Sequence, residues 1–217
     1  MTVVKICGLK TAEAVQAACD PVNAGGADMV GFVFFKKSPR NVQPPIANAL
    51  AALVPPGVIK TALTVDATDD ELAVITAGGN IDLLQLHGSE TAERVAEVKE
   101  KFGLPVMKAL AIASPDDVTG ARAYETVADR LLFDAKPPKD ADRPGGNAVA
   151  FDWGLLAGTD WSVPWLLAGG LTPGNVAEAI RTAGAPGVDV SSGVETAPGE
   201  KSADLIRDFL GAAKGAG

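Results

Sequence analysis

Cys7, Asp134, Arg40 and His87 are the side chains of this 217-residue sequence best suited to proton transfer and anion binding. Each stands where a short apolar run gives way to small or polar residues. Cys7 follows Thr2 to Ile6, a run rich in β-branched residues, and precedes Gly8. As a thiolate, favoured by nearby Lys5, it would be catalytic; as a thiol it would be a small hydrophobe at a strand end. Asp134 follows three apolar residues and precedes Ala135, so it either caps the next loop or serves as a general acid. Arg40, rigidly presented after Ser38-Pro39, either pairs bidentately with a carboxylate or lies on ordinary surface. His87 closes Gln85-Leu86 and is either catalytic or a structural hydrogen-bonder. Such a set suggests acid–base chemistry without a metal.

A second group of residues suits an anion. Trp165 to Ala168 runs into Gly169-Gly170, and Gly187-Val188-Asp189-Val190 runs into Ser191-Ser192-Gly193. Glycines let backbone N–H groups converge closely on a ligand. Consecutive loops of this kind at the end of a chain point to a sugar phosphate, although each alone would also pass for a tight turn.

These residues need a frame that gathers strand ends. Apolar runs at Thr2–Ile6, Met29–Phe35, Val58–Val65, Ile81–Leu86, Val106–Leu110 and Arg130–Phe133, with the two just described, make eight strands. Helix-like segments separate them: Ala12–Ala18 after a Thr11 cap, Pro44 to about Leu53, a helix from Asp69, and Ser89-Glu90 through Phe102. Others start at Ser114-Pro115, at Phe151-Asp152-Trp153 after a long loop (Ala135 to Ala150), between the two anion loops, and over Ser202–Ala213. Regular alternation without tight hairpins implies parallel strands and right-handed crossovers. An open doubly wound sheet fits the alternation too, but the first βα turn lacks a dinucleotide fingerprint. The expected class is α/β, a single (β/α)8 TIM barrel domain over residues 1–217, with catalytic groups at the C-terminal strand ends. Those ends hold Lys5 and Cys7, Ser38 and Arg40, Asp66, Gln85 and His87, Lys108, Asp134 with Lys136, and Asp189.

Composition excludes several classes. The formal charge of −8 leaves no broad basic face for nucleic acid. No apolar run is long enough to span a bilayer, and the opening residues, which go directly into a strand, lead us to expect no signal segment. Two cysteines indicate no disulfide framework, and one histidine leaves too few ligands for a zinc site. A cytoplasmic protein with no metal and no cofactor is expected, acting on a small phosphorylated sugar as a monomer or homodimer.

The ordered motifs resemble one family. Lys5-Ile6-Cys7-Gly8-Leu9 is similar to the opening of phosphoribosylanthranilate isomerases. The likeness continues through Gly31-Phe32-Val33-Phe34 with Ser38-Pro39-Arg40, Gln85-Leu86-His87-Gly88 and Leu132-Phe133-Asp134-Ala135-Lys136. It extends over Gly145-Gly146-Asn147, Phe151-Asp152-Trp153, Leu167-Ala168-Gly169-Gly170-Leu171 and Asp189 to Glu195. The resemblance implies a (β/α)8 barrel that performs an Amadori rearrangement in tryptophan biosynthesis. It makes Cys7 the general base and Asp134 the general acid. Arg40 would hold the anthranilate carboxylate, and the loops at Gly170 and Ser192-Gly193 the phosphate. His87, Gly169, Asp189 and Ser191 complete the candidate substrate contacts. The family usually carries a further glycine at Ala148 and a phenylalanine at Thr64, which bears on loop shape and on packing over the pocket. Another sugar-phosphate isomerase or epimerase, or a non-catalytic sugar-phosphate-binding protein, remains as an alternative. The first would change the reaction on the same frame, and the second would have been favoured by loss of Cys7 or Asp134.

Overall fold

The structure, a computed structural model, describes residues 1–136 and 151–216. Eight parallel strands close into a barrel in sequence order: β1 (Val3–Cys7), β2 (Met29–Phe34), β3 (Ile59–Thr64), β4 (Leu83–Leu86), β5 (Val106–Ile112), β6 (Arg130–Ala135), β7 (Trp165–Leu167) and β8 (Gly187–Val190). Closure is made by β1 pairing with β8, where Lys5 stands opposite Asp189.

Alternating residues of each strand face opposite ways. Met29, Leu83, Met107, Leu132 and Leu166 fill the barrel interior, while Val30, Phe32, Leu84, Leu131 and Phe133 pack outward against the helices. Burial on both faces is why these strands read as continuous apolar runs rather than alternating ones.

The helical layer comprises α1 (Ala12–Cys19), α2 (Pro44–Ala51), α3 (Asp69–Thr76), α4 (Ala92–Phe102), α5 (Pro115–Ala121), α6 (Val176–Ala183) and α7 (Ala203–Lys214). Local chemistry sets their starts. Thr11, Ser114 and Ser202 accept the amides of Ala14, Asp117 and Leu205, and Thr68 forms a reciprocal capping box with Glu71. Between β6 and β7 the described residues hold only a 3-10 turn, Trp153–Leu156, where the sequence suggested a helix. The α4 helix starts later than expected, capped by Thr91, because Ser89 and Glu90 bond into the preceding loop.

One element departs from the expected absence of hairpins. Beyond β8, β9 (Glu195–Ala197) and β10 (Glu200–Lys201) pair antiparallel around Pro198-Gly199. Gly199 has a φ of +84°, and a Cβ there would lie 2.5 Å from the Pro39 carbonyl oxygen. The hairpin is thereby pressed against the segment that carries Arg40. Among the described residues, no helix is long and apolar enough to cross a membrane.

Candidate active site

The pleat decides which strand-end residues reach the barrel mouth. Counting in twos from the interior cluster, Lys5 and Cys7 of β1, Gly31 of β2, Gln85 and then His87 after β4, Asp134 of β6, Ala168 after β7 and Asp189 of β8 all face inward. Lys108 does not. It stands between inward Met107 and Ala109, and its buried ammonium bonds Glu90 (2.7 Å) and the Gly88 carbonyl (2.7 Å) behind the wall. Asp66 is spent on the amide and hydroxyl of Ser89. Lys136 is exposed and lies 3.6 Å from Asp117. Thr64 also faces outward, in register with Leu86, and Leu63 is the β3 residue turned toward the mouth. The substitution at Thr64 therefore alters the layer behind the barrel rather than the pocket's cover. Ala148 and the Gly145-Gly146-Asn147 motif lie outside the described residues.

Around Cys7 the site is buried and charged. The Lys5 ammonium is fully buried, 2.7 Å from Asp189 Oδ1. Burial opposes charge on Lys5, but the Asp189 carboxylate and Cys7 outweigh it and hold its pKa above the ordinary lysine value. For Cys7 the balance runs the other way. Burial pushes its thiol up, and the pull of Lys5 and Lys201 does not compensate. The expectation that Lys5 favours the thiolate is right in sign but not in outcome, because burial is larger and Asp189 neutralises much of the lysine's charge.

Across the barrel, Asp134 is buried with one oxygen accepting the Ala135 amide (2.8 Å). Its other oxygen lies 3.3 Å from His87 Nε2, and His87 Nδ1 lies 3.1 Å from the Gln85 amide nitrogen. Gly169 packs here: with φ at +87°, a Cβ would fall 2.6 Å from Ala135 N and 3.0 Å from Asp134 Oδ1. Its position beside Asp134 is where the missing side chain matters.

Arg40 is buried, and its fork is already engaged. Nε and Nη2 donate to the two Glu195 oxygens at 2.7 and 2.8 Å, which leaves Nη1 and the second Nη2 hydrogen for any incoming carboxylate. Gly8, at φ +82°, makes room for it, since a Cβ would lie 2.6 Å from Arg40 Cδ. Glu195 further accepts Lys201 (2.7 Å) and the Gly199 amide (3.1 Å). Burial pushes its carboxyl up, but these cations and amide hold it down to about 2. Lys201, its charge disfavoured by burial, is shifted below the ordinary lysine value. It also donates to the Ser191 carbonyl (2.8 Å) and hydroxyl (3.2 Å), and Ser191 in turn donates to the Cys7 carbonyl (3.0 Å).

The two small-residue loops interlock. A Cβ on Gly193 would overlap the Leu171 carbonyl oxygen, so the turn at Ser192–Val194 can lie directly on the loop after β7. Asn175 braces that loop, accepting the Thr172 amide (2.7 Å) and donating to the Gly170 carbonyl (3.0 Å). The amides of Gly170, Ser192 and Gly193 have no acceptor among the described residues. Amides of this kind, at a short turn beyond β8, are what a phosphate group uses in a barrel.

Glu195, Lys201 and Gln85 carry this geometry without having been assigned a role from sequence. The Pro198-Gly199 pair was the available signal for the hairpin; nothing local marked the Gln85 contact. No group of three His, Cys, Asp or Glu side chains among the described residues is placed to hold a metal ion.

The family model described as N-(5'phosphoribosyl)anthranilate (PRA) isomerase matches residues 4–212. The chain is 56% identical over 215 residues to the N-(5'-phosphoribosyl)anthranilate isomerase of Rhodopseudomonas palustris, covering 99% of each chain. The crystal structure of phosphoribosyl anthranilate isomerase from Thermotoga maritima superposes with a TM-score of 0.87 at 34% identity, covering 99% of this chain and all of that one. A second isomerase structure, solved with reduced 1-(o-carboxyphenylamino)-1-deoxyribulose 5-phosphate, gives 0.82 at 31% identity, again over 99% and 100% of the two chains. With a closed barrel and inward-facing Cys7 and Asp134, and with such relatives over its whole length, the chain belongs to the N-(5'-phosphoribosyl)anthranilate isomerase family.

Proposed function

We propose that this chain, working as one barrel domain, converts N-(5'-phosphoribosyl)anthranilate to 1-(2-carboxyphenylamino)-1-deoxyribulose 5-phosphate with Cys7 as base and Asp134 as acid. Protonated Asp134 donates to the furanose ring oxygen, the ring opens, and a Schiff base forms. Cys7 then removes the proton from sugar carbon 2, and the resulting enolamine tautomerises to the ketone. Atoms and electrons balance without a redox partner, since the product is an isomer of the substrate.

The observation that carries this reading is the placement of the two groups. β1 and β6 lie three strands apart by the shorter way round an eight-stranded ring, nearly opposite. Both side chains face inward at the C-terminal strand ends, so a sugar in the mouth would lie between them. The amides of Gly170, Ser192 and Gly193 would take the phosphate, with Ser191 as part of that loop. Arg40 Nη1 and the second hydrogen of Nη2 would take the anthranilate carboxylate, with Glu195 holding the guanidinium in place. Gly169 and His87 shape the acid side, and Asp189 acts from beneath by anchoring Lys5. We place the activity in the cytoplasm, in a monomer or homodimer, without nucleic acid, membrane, metal or cofactor; the −8 formal charge supports the absence of a polyanionic partner. The deciding experiment adds purified protein to phosphoribosylanthranilate and follows the loss of its fluorescence. No loss with wild type, or undiminished loss with Cys7→Ala, would refute the assignment.

A further inference from the structure

Gln85 has no part in the reaction as written, yet it is completely buried in the barrel interior below the mouth. Its amide nitrogen meets His87 Nδ1 at 3.1 Å, and His87 turns its other nitrogen to Asp134 Oδ2 at 3.3 Å. The Gln85 carbonyl oxygen, by contrast, is buried without a hydrogen-bond partner among the described residues. Buried acceptors are seldom left unpaired, and an exception calls for a reason.

An amide NH2 can only donate, so the ring nitrogen facing it must be bare. Neutral His87 then carries its hydrogen on Nε2, aimed at Asp134. A second ring hydrogen, on Nδ1, would set one donor against another. A proton added to the His87–Asp134 pair is thereby directed to the carboxyl group, which is the form a general acid needs.

We propose that Gln85 is a positioning residue that keeps the proton of the His87–Asp134 pair on Asp134 by presenting its amide donor to His87 Nδ1. This rests on Asp134 being the acid of the proposed reaction. Among the described residues, the other charged groups around the mouth are held by partners of their own. Lys5 is paired with Asp189, Arg40 and Lys201 with Glu195, and Lys108 with Glu90. Asp66 is bonded to Ser89, and Lys136 lies by Asp117. Cys7, the remaining titratable group facing the mouth among the described residues, lies across the barrel; β7 brings only Ala168 and Gly169.

His87 is the sole histidine, so a long-range 1H–15N spectrum of histidine-labelled protein reports its ring state without ambiguity. At neutral pH the wild-type ring should show a bare Nδ1 and a protonated Nε2. Gln85→Glu keeps the shape but replaces the donor with an acceptor. Its ring should carry hydrogens on both nitrogens, and kcat should fall at least about tenfold with KM held within a factor of about three. Gln85→Met removes the donor at similar volume and should yield a mixture of ring states with a smaller fall in kcat. A hydrogen on Nδ1 in the wild type, or a ring unchanged by both substitutions, overturns the proposal. Should Gln85→Glu not fold, a pure Nε2–H ring in Gln85→Met overturns it alone. A fully active Asp134→Asn enzyme would instead sink the acid assignment, while the ring spectra would still judge Gln85.

Discussion

Gly31 stands directly across the β1–β2 ladder from Cys7, and the space where its side chain would be is bounded by the thiol. A Cβ there would lie 2.8 Å from Cys7 Sγ and 3.2 Å from Lys5 Nζ. The thiol and the buried ammonium therefore meet in a gap that only glycine leaves open. Gly31→Ala should displace Cys7, cutting kcat while the barrel still folds, at a cost of about 1–3 kcal/mol for overpacking. Urea unfolding and steady-state kinetics measured together check it, and unaltered kcat would show that the sulfur's position is not critical.

Cys7→Ala and Asp134→Asn should each lower kcat by at least about a hundredfold, the scale of a lost acid or base. Cys19→Ala, at the end of α1 away from the mouth, should leave it near wild type. Because burial holds the Cys7 thiol above its ordinary value of 9.0, thiolate absorbance followed in Cys19→Ala protein should still be rising at pH 9. A thiol fully ionised well below that pH would contradict the balance between burial and the lysines.

Arg40→Lys keeps the charge but loses the planar fork that grips Glu195. Weaker substrate binding is expected, seen as a raised KM, together with a lower melting temperature as the β9–β10 hairpin loses a tether. Unchanged KM and melting temperature would relegate Arg40 to passive packing.

Glu195 makes stability depend on acid. Its carboxyl is held at about 2 against an ordinary 4.5, so its contribution is complete above about 4.5 and is lost as pH falls through about 2. Glu195→Gln should flatten the stability profile in that window relative to wild type. Parallel profiles for the two proteins, followed by thermal unfolding at each pH, would contradict the network.

A product analogue lacking phosphate should bind far more weakly than product. Losing several charge-assisted contacts of roughly 1.5–3 kcal/mol each costs about three powers of ten or more. Equal affinities by calorimetry would remove the phosphate from the loops at Gly170 and Ser192-Gly193.

The barrel itself was legible in the sequence, because strands buried on both faces write continuous apolar runs and helix starts carry local caps such as Thr11 and Ser114. So was the placement of Cys7, Asp134, Arg40 and the two small-residue loops at the C-terminal strand ends, since the ends of parallel strands must converge. Three things were decided only in the tertiary structure. The pleat sent Lys108 and Thr64 outward while Lys5 and Gln85 turned in, a one-residue distinction that an all-apolar run does not encode. The Pro198-Gly199 hairpin brought Glu195 and Lys201 back onto Arg40, 155 positions earlier for Glu195, and no local pattern specifies which distant charge a buried guanidinium will meet. Finally, the state of the Cys7 thiol depends on burial weighed against Lys5 and Lys201. Desolvation is a property of everything packed around a group, so it exists only once the chain has closed on itself.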